Sequence, residues 1–211
     1  MSKSCALTFR LDDQTMRDVV TGAGRAFPAV LLVAWVIASP ARAQDAQSRV
    51  RGELDARYAE LARAHDRKDL AAIVAMKTAD FHSIFPDGNV GDARVMEEYS
   101  RRFLESNQPP YDIRVKILRL AVSPNELIAV AEVLQEASRF RDLAGKRRKV
   151  ETSVLQRETW SNVGGIWKLK SVDNVRDQKR FVDGKRVDPT VPYDPNAPPF
   201  NPDTTRTPRN E

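Results

Sequence analysis

The spacing of apolar residues divides the middle of the chain into a helical part and a strand-rich part. Between Gln44 and His65 they recur every three or four positions, which is the period of one helix face. That stripe consists of Val50, Leu54, Tyr58, Leu61 and, at its end, His65. From Tyr111 onward, apolar and polar residues alternate instead. The first pattern predicts an amphipathic helix, and the second predicts strands with one buried face.

Two shorter helices and a small hairpin are predicted between these parts. Asp69 and Asp92 each suit an N-cap, since an aspartate carboxylate can accept from the free amides of a first helical turn. The second helix covers Leu70 to Lys77, and the third runs from Asp92 to about Asn107. The predicted inner face of the third helix comprises Val95, Met96, Tyr99, Phe103 and Leu104. Between the helices, an aromatic segment is followed by "PDG", which predicts a tight turn.

Four sizeable antiparallel strands follow. Their expected bounds are Tyr111 to Ala121, Leu127 to Arg141, Val150 to Trp160, and Ile166 to Asn174. Three helices and a small hairpin before a meander of strands indicate an α+β fold.

The N-terminal region has the features of a secretory signal peptide. Phe27 to Ala38 is an apolar run of 12 residues, shorter than the roughly 20 needed to cross a bilayer. Ala41-Arg42-Ala43 is a small-x-small cleavage pattern, so residues 1–43 are predicted to be removed and the protein exported to the periplasm. An uncleaved membrane anchor is the alternative. Because three aspartates precede the apolar run, Met16 is a better start than Met1.

The C-terminal region, residues 187–211, is predicted to be an extended, disordered tail. Seven prolines fall between Pro189 and Pro208, and proline lacks the amide donor that a helix or inner strand needs. The alternative is that Tyr193 or Phe200 docks onto a partner. The folded domain is therefore expected to cover residues 48–180.

Charge and cysteine content exclude several classes of site. The formal charge is +5, and removing a leader with five basic and three acidic residues leaves +3. The basic run "GKRRK" at residues 145–149 has the character of a solvated hairpin tip rather than a nucleic-acid groove. The one cysteine, Cys5, lies in the leader, so the mature protein has no thiol chemistry. With no HExxH motif and no glycine-rich phosphate loop, we expect no metal, no cofactor, no nucleic-acid partner and no membrane association after cleavage.

Two stretches resemble one known superfamily. "DLAAIVAMKTADFHSIFPDGNVGD" (residues 69–92) and "QRETWSNVGGIWKLKSVDN" (residues 156–174) are similar to the second helix with its hairpin, and to the closing hairpin, of nuclear transport factor 2-like proteins, also called SnoaL-like. The resemblance covers roughly residues 48–176 and implies a cone formed by three helices on a curved, mainly antiparallel sheet. It does not imply one function, because the superfamily includes isomerases, dehydratases, hydrolases, binding modules and transport factors.

The isomerases of this superfamily place a carboxylate directly before the turn proline and a tyrosine acid in the first helix. Phe85 and Leu61 stand at these positions here, and Tyr58 lies one helical turn before the tyrosine position. Neither Phe85 nor Leu61 can transfer a proton, so this sequence departs from the isomerase pattern. If Phe85 faces the cone interior, His82 faces the opposite side and is expected to be a surface residue.

The strand alternation selects other candidates for the interior. A cavity is predicted with an aromatic lining and a buried carboxylate, Glu158, as the candidate acid or base. The predicted ligand-binding residues are Phe85, Tyr99, Phe103, Gln156, Glu158, Trp160 and Trp167. Asp173 is a second carboxylate expected in the interior. The alternative is that Glu158 forms an ion pair at the rim and the two tryptophans are ordinary core residues.

Three functions follow from these features. The first is an exported module that binds a small apolar or amphipathic molecule. The second is a lyase, isomerase or hydrolase that acts through Glu158, with Gln156 or Tyr99 as hydrogen-bond donor. The third is an interaction protein that uses the outer sheet face and the proline-rich tail. A homodimer through the outer sheet face is expected because an open sheet leaves one face uncovered.

Overall fold

The helices and strands follow the predicted order. The computed structural model describes residues 40–198 and residue 200. The predicted signal peptide lies outside these residues except for its last four, and residues 201–211 of the predicted tail also lie outside them. The helices are α1 (Pro40–Asp66), α2 (Leu70–Ala75) and α3 (Ala93–Ser106). The strands are β1 (Lys77–Ile84), β2 (Val90–Asp92), β3 (Gln108–Val122), β4 (Ile128–Leu143), β5 (Lys146–Val163), β6 (Ile166–Val182) and β7 (Lys185–Val187).

The helix starts agree with the capping residues in the sequence. The Asp69 carboxylate accepts from the amide of Ala72 at 2.9 Å, and the Asp92 carboxylate accepts from the amide of Val95 at 2.8 Å. Each bond satisfies one amide that the first helical turn leaves free. Helix α2 ends at Ala75, and Lys77 already belongs to β1, where it pairs with Leu169 of β6.

All seven strands form one curved, open sheet in the order β2-β1-β6-β5-β4-β3, with β7 paired to β6. Strand β1 pairs with β6 in parallel, and every other pairing is antiparallel. The fold is therefore the predicted α+β class. The last long strand continues beyond the predicted Asn174 to Val182, and the β6–β7 pairing reaches Val187.

The main core lies between α1 and the concave face of the sheet. Val50, Leu54 and Tyr58 of α1 are buried, as their spacing predicts. They pack on apolar residues of four strands: Ile117, Leu120, Ala129, Ala131, Val133, Trp160 and Trp167. A smaller cluster of Ala64, Ile73 and Leu104 joins the three helices. Burial of these side chains supplies most of the driving force for folding.

The outer face of the sheet carries charged pairs. Arg157 on β5 donates to Asp173 on β6 at 2.6 Å, and Arg176 on β6 forms an ion pair with Glu132 on β4. A side chain at an even position of β4 points to this face, and one at an odd position points to the core. This alternation sets which residues can reach the concave side.

No helix in the part of the chain that the structure describes has the length and apolar character to cross a bilayer.

Candidate functional site

Glu158 is a buried carboxylate on the concave face, with 4% of its surface exposed. Three side chains donate to it. The Tyr58 hydroxyl lies 2.6 Å and the Trp160 Nε1 3.0 Å from Glu158 Oε2, and the Gln156 Nε2 lies 2.7 Å from Oε1. Both carboxyl oxygens therefore have protein donors, as a buried polar group requires. We call these four residues the Glu158 cluster.

The cluster arises from two sequence periods. Alternation along β5 places Gln156, Glu158 and Trp160 on the concave face, as predicted. The helical stripe of α1 places Tyr58 above them, where its ring meets the Trp160 ring edge to face at a centroid distance of 5.4 Å. Tyr58 was not among the predicted site residues. Its role depends on a contact between a helix and a distant strand, which the spacing of residues within either element does not reveal.

Burial raises the pKa of Glu158, while the hydrogen bonds from Tyr58, Gln156 and Trp160 lower it, and burial is the larger effect. Burial and the neighbouring Glu158 charge both raise the pKa of Tyr58 far above its usual range. Tyr58 therefore remains protonated and acts only as a donor. The cluster can hold a proton near Glu158, as general acid or base chemistry would need.

The two predicted tryptophans are core side chains. Trp160 and Trp167 are each 2% exposed, and the Trp167 Nε1 donates to Glu53 Oε2 at 2.7 Å. Clefts of about 390, 550 and 870 Å³ occur in the structure. None of these three is lined by Glu158 or by either tryptophan.

Tyr99 does not line the interior. It is 57% exposed on the outer side of α3, as is Val95 at 44%. Met96, Phe103 and Leu104 of the predicted inner face do point inward, together with Ser100, and Leu104 is buried. The prediction was wrong for Val95 and Tyr99, because the apolar residues of α3 occur on both sides of the helix.

Phe85 and Asp173 also differ from expectation. Phe85 is half-buried at the β1–β2 hairpin, beside Gly91, where its ring would lie 3.1 Å from an added Cβ. Asp173 points to the outer face. There is one extra residue in β6 between Leu169 and Ser171 relative to β5, and this bulge reverses the alternation of β6 beyond it.

His82 takes no part in the Glu158 cluster. Phe81 and Ser83 on either side of it are buried, and His82 itself is half-buried on the opposite face of β1. Its Nδ1 lies 3.4 Å from the Asp80 carbonyl oxygen. The Asp80 carboxylate forms an ion pair with Lys170 at 3.3 Å. The strand parity that predicted an outward His82 is correct.

A second group on the concave face contains Arg139, which is not among the site residues predicted from the sequence. The Arg139 Nε donates to Asn107 Oδ1 at 3.1 Å, and its Nη1 donates to Thr152 Oγ1 at 3.0 Å. Its guanidinium lies 5.1 Å from the centroid of the Phe103 ring. Burial lowers the pKa of Arg139 below its ordinary value. Among the residues that the structure describes, no carboxylate lies within ion-pair distance of Arg139.

Aromatic side chains surround Phe103 in this group. The His65 ring contacts Phe103 at 5.7 Å and Tyr111 at 6.2 Å between centroids. Burial lowers the pKa of His65, so its imidazole is held in the neutral form. Phe103 and His65 are half-buried, so part of each ring remains accessible. We call His65, Phe103, Tyr111 and Arg139 the Arg139 cluster.

One side-chain hydrogen bond extends the Glu158 cluster along the concave face toward the Arg139 cluster. Gln156 of the Glu158 cluster donates to Gln135 Oε1 at 3.2 Å. Gln135 and Arg139 are both odd positions of β4, so they share this face with Ala131 and Val133. The sequence does indicate that the odd positions of β4 face the core, since those from Ala129 to Val133 are small or apolar. This indication is ambiguous because the even positions of β4 also include apolar residues.

No group of three or more His, Cys, Asp or Glu side chains within residues 40–198 is arranged to hold a metal ion.

Comparison with known proteins identifies the fold. No protein-family model matches this chain, and a comparison with curated proteins found no match. A structure from Novosphingobium aromaticivorans, provisionally named scytalone dehydratase, matches with a TM-score of 0.53 and 11% identity over 65% of this chain and 90% of that one. A type 2 hexachlorocyclohexane dehydrochlorinase, LinA, matches with a TM-score of 0.51 and 8% identity over 73% of this chain and 99% of that one.

At these identities the likeness concerns the fold and not the chemistry. Both the order of elements and the curved sheet agree with the resemblance seen in the sequence. The chain has the fold of the nuclear transport factor 2-like superfamily.

Proposed function

We propose that this protein is an exported binding module that holds a small amphipathic anion on its concave face. The observation that carries the proposal is Arg139, a largely buried cation whose side-chain hydrogen-bond partners, Asn107 and Thr152, are both neutral. A buried charge is costly unless it is paired. An anionic group of a ligand would supply the missing partner, and guanidinium binds carboxylate, phosphate or sulfonate oxygens well.

The residues beside Arg139 suit the apolar part of such a ligand. Phe103 presents one ring to the guanidinium, and His65 and Tyr111 pack around that ring. Small-molecule sites are typically built from apolar and aromatic surfaces with a few polar groups that fix orientation. The Arg139 cluster has this composition.

The Glu158 cluster supports binding rather than turnover as the main function. The hydroxyl of Tyr58 and the indole N–H of Trp160 both donate to Glu158, so neither is free to contact a substrate. The surrounding residues pack as core. A catalytic group must come within hydrogen-bond reach of the atom it acts on, and these side chains are occupied by one another.

The test uses two fluorescent probes that share an aromatic body. 8-Anilinonaphthalene-1-sulfonate carries an anionic group, and N-phenyl-1-naphthylamine is its neutral counterpart. We expect Arg139→Gln to weaken binding of the sulfonate at least tenfold, since a hydrogen bond to a charged group is worth ~1.5–3 kcal/mol. Binding of the neutral probe should change less than about twofold, because the aromatic contacts remain.

Two controls accompany this test. Arg139→Lys keeps a cation and should retain part of the sulfonate affinity. Arg102→Gln changes an exposed arginine of α3 that pairs with Glu98, and should change neither probe. Equal loss of both probes, or sulfonate affinity that survives Arg139→Gln, would contradict an anion site at Arg139.

A second candidate function is an acid or base reaction through Glu158. The observation in its favour is the short contact between the Tyr58 hydroxyl and a buried carboxyl whose pKa is raised. Perturbed pairs of this kind occur at catalytic sites and also in structural networks. Turnover of a small organic substrate that Glu158→Gln abolishes, while Arg139→Gln only weakens its binding, would establish this function instead.

Export is part of the proposal and rests on the leader sequence. Cleavage after Ala43 would leave a chain that begins at Gln44 and retains most of α1, including its buried stripe. Intact-mass measurement on protein from a native host should give that mature species. A chain that still begins at Met1 or Met16 would rule export by cleavage out.

Homodimer formation through the outer sheet face is also proposed. Leu134 and Leu155 are directly opposite each other on this face, and Leu118 nearby is 42% exposed. Paired charges such as Arg157 and Asp173 surround them, which is the usual distribution of an apolar centre within a polar rim. Sedimentation equilibrium at micromolar concentration should give a dimer, and Leu155→Glu should give a monomer. A monomer in the unsubstituted protein would refute this assembly.

A further inference from the structure

A cleft of about 870 Å³ lies where the β6–β7 hairpin meets the C-terminal segment, residues 188–198 and Phe200. Four cationic side chains line it: Arg148, Arg180, Lys185 and Arg186. Its opposite wall includes Tyr193 and Phe200. Arg139 and the Glu158 cluster do not line this cleft, so what it binds is independent of the proposed function.

The arginines of the cleft have unused hydrogen-bonding capacity. The Nε atoms of Arg148, Arg180 and Arg186 are buried without an acceptor. Only two other side-chain polar atoms within the described residues share this condition, Arg57 Nε and Thr78 Oγ1. Buried donors in folded proteins are normally paired. Because these Nε atoms are closed to solvent, a ligand in the cleft would bind the terminal nitrogens of the guanidinium groups, and those of Arg186 are not buried and are unpaired in the part of the chain that the structure describes.

Of these three arginines, Arg186 makes the fewest hydrogen bonds. Arg148 donates to Asp183 at 2.8 Å, and Arg180 donates to the carbonyl oxygens of Asp188 and Val191. Arg186 makes no side-chain hydrogen bond or ion pair with the described residues, and its guanidinium lies 5.6 Å from the centroid of the Phe200 ring. This ring is the one cation–π partner of Arg186 among the described residues.

The three acidic residues of the cleft already accept hydrogen bonds from other groups of the protein. Asp183 accepts from Arg148 and from the Lys149 amide, and the Asp188 carboxylate accepts from Thr190. Asp194 accepts from the amide of Asn196. Four cations face these three carboxylates, so the lining keeps a net positive charge.

The aromatic wall adds an apolar surface next to the cations. Arg148 lies 5.4 Å from the Tyr193 ring centroid, as Arg186 lies near Phe200. Prolines 192, 195 and 198 complete this wall. A ligand that satisfies the guanidinium donors would also contact rings and pyrrolidine groups. This combination favours an organic anion over an inorganic one.

We propose that this cleft binds a small aromatic molecule that carries an oxyanion, with the oxyanion on Arg148 and Arg186 and the ring against Phe200. Arginine donors form paired hydrogen bonds with phosphate and carboxylate oxygens. Arg180 has the separate role of holding the C-terminal segment in place through its two carbonyl acceptors.

Calorimetric titration of the full chain with phenyl phosphate tests the site, with benzoate and inorganic phosphate as further arms. We expect Arg186→Gln to weaken phenyl phosphate binding at least tenfold. The Arg186 guanidinium has no polar partner among the described residues, so all of its accessible donors can bind the phosphate. Phe200→Ala should weaken phenyl phosphate several-fold and leave inorganic phosphate unchanged. Benzoate binding as tight as that of phenyl phosphate would show that the site accepts a carboxylate as well as a phosphate, and much weaker binding of benzoate would show a preference for phosphate.

Matched variants separate this site from general charge effects and from the concave face. Arg102→Gln removes one exposed cation and should leave phenyl phosphate affinity within twofold. The loss caused by Arg186→Gln should persist in the Arg139→Gln background, which removes the proposed concave-face site. Absence of phenyl phosphate binding at millimolar concentration, or equal losses in Arg186→Gln and Arg102→Gln, would overturn the proposal. Thermal melts of each variant exclude loss of fold as the cause.

Discussion

The hydroxyl of Tyr58 lies 2.6 Å from Glu158 Oε2, although 100 positions separate the two residues in the chain. The contact joins α1 to the middle of the sheet inside the apolar core. Because a buried carboxylate without donors is very costly, the Tyr58 bond stabilises one position of α1 over β5, while Gln156 and Trp160 donate to the carboxylate from within β5. The polar group in the core thus sets the position of the helix.

Tyr58→Phe should destabilise the protein by about 1–3 kcal/mol, since it leaves Glu158 with one donor fewer in a buried site. The ring and its packing on Trp160 remain, so the loss reports the hydroxyl alone. Urea unfolding measures the change. Tyr99→Phe is the matched control, because Tyr99 is 57% exposed and its substitution should cost less than ~0.5 kcal/mol. Equal effects of the two substitutions would show that the hydroxyl bond contributes nothing.

The sequence predicted most of the fold because the relevant signals are local. The stripe of α1, the capping aspartates and the alternation of β5 each depend on a few neighbouring residues, and each is confirmed. The inward Glu158, Gln156 and Trp160 follow from the same alternation.

The remaining site features depend on contacts that local patterns do not contain. The bulge after Leu169 turns Asp173 outward, and no composition signal marks it. Tyr99 was assigned to the wrong side of α3, because apolar residues lie on both faces of that helix and only packing selects between them. Arg139 reaches the concave face through the parity of β4, which is ambiguous where both faces carry apolar residues.

The free energy of unfolding of Glu158→Gln should increase relative to that of the unsubstituted protein as pH rises. Burial raises the folded-state pKa of Glu158 above the ordinary value of 4.5, so the folded protein holds this proton more tightly than the unfolded chain does. Ionisation of Glu158 therefore lowers the free energy of unfolding. This loss is absent at pH values below the unfolded-state pKa and is complete above the folded-state pKa. Each unit of pKa shift corresponds to about 1.4 kcal/mol.

Denaturation of both proteins between pH 4 and pH 9 measures this difference. Surface carboxyls whose pKa is lowered, such as Asp183, are common to both proteins and cancel in the comparison. In Glu158→Gln, the oxygen of the introduced amide can accept from Tyr58 and Trp160. Its NH2 group then replaces Oε1, so the Gln156 amide must rotate to present its oxygen as the acceptor. A variant that becomes less stable relative to the parent as pH rises would mean that the donors outweigh burial.

Trp160→Ala should cost about 3–5 kcal/mol, because it removes a fully packed ring and leaves a cavity. The substitution also removes one donor to Glu158. Ile166→Ala serves as control, since Ile166 is 51% exposed and its truncation should cost less than ~1 kcal/mol. A loss below about 2 kcal/mol for Trp160→Ala in urea unfolding would indicate that the ring borders open space.

Limited digestion with a nonspecific protease should trim the chain beyond Val187 faster than within the sheet. The β6–β7 ladder ends at Val187, and residues 188–198 form turns without strand pairing, held partly by Arg180. Segments with few ladder bonds open locally and are cut first. Mass spectrometry should find a resistant fragment that contains residues 48–187. A C-terminal segment that resists digestion as long as the sheet would contradict the predicted tail.

A crystal structure of the protein with bound 8-anilinonaphthalene-1-sulfonate tests the central claim most directly. The account predicts the sulfonate oxygens within hydrogen-bond distance of the Arg139 guanidinium and the naphthalene ring against Phe103, with the Glu158 cluster unchanged. A probe bound only at another surface, with Arg139 still held by Asn107 and Thr152 alone, would contradict binding on the concave face.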